Sequence, residues 1–110
     1  MNIPDKVKIG WRTYNVLQGE HRNGPGDSGD LMGEIAYEGN KIYLYHGQSE
    51  DNKCVTLLHE ILHGVFYQTG NWALKDDEAA ITSLSEMLYQ IITDNPELFA
   101  EARNAETTAT

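Results

Sequence analysis

The 110 residues carry 17 acidic against 8 basic side chains, a net charge of −9, with 40% hydrophobic and 23% charged residues, a composition that fits one globular domain with a single core. The scattered Lys and Arg exclude a nucleic-acid backbone or an anionic membrane as main partner, because both need clustered positive charge. Cys54 is the only cysteine, so an intramolecular disulfide and a cysteine-rich zinc finger are excluded; no signal run or membrane-length apolar stretch is present either, and the expected location is cytoplasmic.

Taken in order, Val7-Lys8-Ile9 and Arg12 to Leu17 alternate around Gly10-Trp11 and predict an amino-terminal hairpin. Gln18 to Met32, with Gly19, Gly24, Pro25, Gly26 and Gly29, predicts a loop without regular structure. Its Gly24-Pro25-Gly26 is not a phosphate loop, since no Gly-Lys-Ser/Thr follows. Gly33 to Tyr37 and Lys41 to Tyr45 flank Glu38-Gly39-Asn40 and predict a second hairpin.

Ser49 is placed to cap a helix from about Glu50 to Gln68, with Gly70 to end it. After a loop at Asn71-Trp72, a second helix is expected from Lys75 or Asp76 to about Thr93, with Ile81, Leu84, Leu88, Ile91 and Ile92 as its apolar set and Asn95-Pro96 as its stop. Pro96 opens a short third helix to Arg103, and residues 104–110 read as a flexible tail. The expectation is an α+β domain over residues 1–103: a small antiparallel or mixed sheet of three to four strands packed on two long helices, with a short carboxy-terminal helix.

Within the first long helix, His59-Glu60-Ile61-Leu62-His63 is an H-E-x-x-H pattern. Four residues on a helix are about 40° apart around the axis and one turn along it, so both imidazoles project side by side and can share one zinc ion. Glu60 sits about 100° from His59, placed to take a proton from a water that the metal activates. With four histidines and ten glutamates, a shuffled chain shows this pattern in roughly one per cent of cases, so its surroundings decide. Leu57, Leu58, Ile61, Leu62 and Val65 spread over about 160–300° from His59 and leave both histidines off the core side, while Cys54 falls inside the apolar arc.

A catalytic zinc site has three protein ligands and an open position. No histidine or cysteine follows His63, which removes every family that uses a later histidine; a metzincin would need glycine and histidine where Phe66 and Thr69 stand. A downstream carboxylate remains, from Asp76, Asp77, Glu78 or Glu86. Glu78 is preferred, because Glu78, Thr82, Ser85 and Tyr89 share a polar stripe beside the apolar face of the second helix; Asp77 is the runner-up.

His59 to His63, followed after 14 residues by Glu78-Ala79-Ala80, resembles the gluzincin pattern, and specifically the short ImmA/IrrE-like metallo-endopeptidases of phages and integrative elements. The resemblance spans roughly residues 3–98 and includes the Gly33 to Tyr43 hairpin and the run Leu88 to Pro96. It implies a minimal zincin-like domain in a bacterial or phage-infected cell, with a sheet edge that holds an extended peptide beside the metal. The chain departs from that family at Ile81, where an Asn is common, and is expected to lack an appended DNA-binding or sensor domain.

The expected activity is hydrolysis of peptide bonds in a protein or peptide substrate, with zinc on His59, His63 and Glu78, Glu60 as general base, and Tyr67 or Tyr89 as candidate oxyanion donors. The rivals are a zinc protein that acts by protein–protein binding alone and a catalytic fold held latent. The binding-only reading gives Glu60 no purpose.

Overall fold

The computed structural model describes residues 2–23 and 30–99. Among them, strands β1 (Lys6–Ile9), β2 (Arg12–Gly19), β3 (Arg22–Asn23), β4 (Asp30–Leu31), β5 (Gly33–Ala36) and β6 (Lys41–Tyr45) precede helices α1 (Glu50–Gln68), α2 (Trp72–Lys75) and α3 (Glu78–Asp94).

Alternation builds the sheet. Val7, Ile9, Tyr14 and Val16 fall on one face of the β1–β2 hairpin, Lys6, Lys8, Asn15 and Leu17 on the other. Gly10 turns this hairpin at φ +58°, a left-handed conformation that glycine adopts without strain. In the second hairpin Ile35 lies opposite Ile42, and Asn40 takes φ 53° in the turn. The order is β1-β2-β6-β5, with β2 and β6 parallel and both hairpins antiparallel, so the sheet is mixed and β1 and β5 are its edges.

The stretch from Gln18 to Met32 is more regular than its glycines suggest. β2 extends to Gly19, and β3 pairs with β4 as a separate two-stranded ladder. Gly24, Pro25, Gly26 and Gly29 lie outside the described residues. The segment finds partners on the open sheet face: the His21 ring stacks on Tyr45 at 3.5 Å, and the Arg22 guanidinium lies 3.8 Å over the Tyr43 ring and 3.3 Å from Glu34.

The core lies between the sheet and α1. Tyr14, Ile42, Leu44 and Leu57 are at most 1% exposed, with Ile9 and Val16 beside them. Gly64 sets how closely α1 approaches, since a Cβ there would meet Ile9 Cδ1 at 2.9 Å and Ile35 Cδ1 at 3.1 Å. Cys54 is buried on the same helix, as its wheel position predicts.

Ser49 caps α1 by accepting from the Asn52 N–H, and Gly70 follows its end at φ +73°. One helical turn, α2, replaces the loop expected at Asn71-Trp72, and α3 starts at Glu78, later than expected. Residues 97–99 are helical, the beginning of the predicted third helix; the rest of it and the 104–110 tail lie outside the described residues.

α3 packs mainly on α1, and the contact is narrower than its apolar set implies. Ile81 and Ser85 are fully buried, whereas Leu84 and Ile91 are 43% and 38% exposed. The reason is geometric: a helix with one packing partner buries a single stripe, and here the small Ser85 lets that stripe run close to α1. No helix among the described residues is long and apolar enough to cross a membrane.

Candidate metal centre

His59 and His63 stand one turn apart on the side of α1 that faces α3. Asp77 starts α3 by accepting the Ala80 N–H at 3.0 Å, and this cap fixes Glu78 as the first helical residue, over the two histidines. Glu78 Oε1 lies 2.7 Å from His63 Nε2 and Oε2 lies 3.1 Å from His59 Nε2, while the two Nε2 atoms are 3.2 Å apart. The three residues form a group able to hold a metal ion, with ligand atoms all within 4.8 Å of one another.

The second nitrogen of His63 explains its orientation. His63 Nδ1 lies 2.7 Å from the Lys75 carbonyl oxygen, which can only accept, so Nδ1 carries a proton and Nε2 is turned toward His59 and Glu78. Outer-shell carbonyls hold metal-binding imidazoles in this manner. Two imidazole nitrogens and a carboxylate at such distances can share hydrogen bonds or hold one metal ion.

Of the other acids considered, Asp76 is 3.3 Å from the Lys75 ammonium, Asp77 is spent on the cap, and Glu86 does not line the site. Asp77→Ala is therefore expected to cost about 1 kcal/mol in urea denaturation, the ordinary loss of a helix cap, and to leave metal content unchanged. Metal loss in Asp77→Ser, which keeps a capping oxygen but removes the carboxylate, would restore Asp77 as a ligand.

Glu60 is only 7% exposed. Burial pushes its carboxyl up to about 8, with Glu78 and then Glu34 adding to the shift. Such a group holds its proton at neutral pH until a cation at the adjacent ligands favours the carboxylate. Burial also lowers the His59 pKa, against the pull of Glu78, and this favours the neutral imidazole that binds metals.

These groups open into a cleft of about 590 Å³. Gly33, Glu34 and Tyr37 line its sheet side, Glu78, Thr82 and Ser85 its α3 side, and Leu31, Met32 and Val55 also contribute. Three of the four residues of the predicted polar stripe thus reach the cleft. Tyr89 does not, because its hydroxyl donates to Asp51 in the first turn of α1. Tyr67 stacks on the Tyr37 ring at 4.1 Å and meets Trp72 edge-on, a packing role.

The tyrosine in the cleft is Tyr37, which sequence reasoning passed over. Burial, and then the charge of Glu60, push its phenol up to about 12, so it stays a hydrogen-bond donor at every working pH. Nothing marks it in the sequence beyond its place at the end of a hairpin strand. The Lys75 carbonyl was missed too, since a backbone group has no residue signature.

Compared with protein-family models, with curated proteins and with solved structures, the chain finds no match.

Proposed function

We propose that the chain is a zinc-dependent metallo-endopeptidase of gluzincin type, working in the cytoplasm on a protein or peptide substrate. The observation that supports it is the convergence of His59, His63 and Glu78 within 4.8 Å, with the carboxyl of Glu60 buried beside them. A zinc ion held there supplies Lewis-acid activation of water and of the scissile carbonyl.

The chain's own groups do the rest. Glu60 takes the proton of the attacking water and returns it to the leaving amine. Tyr37, a protonated donor in the same cleft, faces the negative charge that develops on the carbonyl oxygen.

A substrate backbone has a place to bind. The Tyr45 N–H donates to the Met32 carbonyl at 2.8 Å, and with Gly33 opposite Leu44 the alternation of an antiparallel ladder turns the backbone groups of Gly33 and Ile35 toward the free edge of β5. An extended peptide can add there as a further strand, alongside the cleft. A purely structural metal site gains nothing from a buried carboxyl at position 60, whose desolvation is unfavourable.

The test is elemental mass spectrometry of protein purified without chelator, parent and Glu78→Ala in parallel, followed by digestion of an unfolded protein substrate. About one zinc per parent chain, loss of it in the variant, and chelator-sensitive cleavage by the parent are the expected results. A parent that carries no zinc and takes up none when supplied would defeat the proposal.

A further inference from the structure

The metal centre leaves one surface of α3 unexplained. Leu84, Met87 and Ile91 are 43%, 56% and 38% exposed. Their spacing of three and then four residues is that of a coiled-coil seam, so they line up along one side of α3, next to the stripe that Ile81 and Ser85 bury on α1. Ser85 and Glu78 serve the cleft, and these three apolar residues take no part in it.

Charge identifies the occupant. Between residues 76 and 99 there is no Lys or Arg, and with Asp76 beside Lys75, Asp77 on the helix cap and Glu78 over the histidines, Glu86, Asp94 and Glu97 are the remaining acids. A second copy would bring the same acidic surface and a net charge of −9 against it. An anionic lipid surface is repelled on the same ground. Residues 100–110, Ala, Glu, Ala, Arg, Asn, Ala, Glu, Thr, Thr, Ala and Thr, hold no large apolar side chain to fill the stripe. We propose that Leu84, Met87 and Ile91 form a docking stripe for a cationic amphipathic helix of a partner protein. Its apolar seam lies along the stripe and its Lys or Arg residues meet Asp94, Glu86 and Glu97. Met87, unbranched and adaptable, sits in the middle of the seam.

The test uses two labelled synthetic helices of about three heptads, both with Leu at the seam positions, one flanked by Lys and one by Glu. Binding to the full chain is read by fluorescence anisotropy, and self-association by sedimentation. The Lys peptide is expected to bind at least about ten-fold tighter than the Glu peptide, with affinity falling as salt is raised. Met87→Ser is expected to weaken it about ten-fold, while Trp11→Ser, which removes an exposed apolar residue from the β1–β2 turn, leaves it unchanged. Equal binding of both peptides, no binding of either, or indifference to Met87→Ser would overturn the proposal. So would a dimer that Met87→Ser dissolves, because the stripe would then belong to a second copy.

Discussion

Glu60→Gln is expected to lower kcat by about 10²–10⁴ while zinc content and fold are retained. The amide has nearly the shape of the carboxyl, and the three ligand residues are untouched, so the loss falls on proton transfer alone. Stability gives an independent check. In the metal-free protein Glu60 has a folded pKa of about 8 against an ordinary 4.5, so the unfolded chain releases this proton first. Stability contributed by the protonated group is therefore lost as pH rises from about 4.5 to about 8. Glutamine cannot ionise, and chelator-treated Glu60→Gln is expected to show a flatter decline in melting temperature across that window than the parent. Hydrolysis by the variant at the parent rate would remove Glu60 from the general-base role.

What could be read in advance depended on how local the determinant is. His59 and His63 belong to one helix, whose periodicity alone sets their separation, and the Ser49 cap and Gly70 bounded that helix in the sequence. Both hairpins were legible for the same reason, as alternation around turn residues. The choice of Glu78 over Asp77 needed a tertiary contact, yet it agrees with a local rule: Asp favours the cap position, which leaves the next residue free to face the histidines.

The rest is non-local. Apolar residues on α3 cover a wide arc, and which part meets α1 depends on where α1 lies, so Leu84 and Ile91 of the predicted apolar set are exposed while Ser85 of the predicted polar stripe is buried. The β3–β4 ladder depends on rings of Tyr43 and Tyr45 some twenty residues away, and Tyr37 enters the cleft only because its hairpin abuts α1.

Gly33 is the clearest case of a residue whose role only packing reveals, and it carries the second prediction. A Cβ at this position would meet the Thr56 Cγ2 at 2.4 Å, the Tyr43 carbonyl oxygen at 3.2 Å and Glu60 Oε2 at 3.3 Å. Glycine is thus what lets the β5 edge lie against α1 at the level of Glu60. Gly33→Ala forces the strand away from the helix, with an expected loss of about 1–3 kcal/mol in urea denaturation and a fall in kcat as Glu60 is displaced. The worst contact is with one methyl group, and Thr56→Ser deletes that methyl while keeping the hydroxyl that donates to Gln48 Oε1 at 3.0 Å. The double variant is therefore expected to recover part of the stability, with a coupling of about 0.5–3 kcal/mol in a double-mutant cycle. The contact with the Tyr43 backbone remains, so recovery stays incomplete. Additive effects of the two substitutions would mean that the clash does not set the distance between β5 and α1. The edge strand would then owe its place beside Glu60 to the hairpin itself.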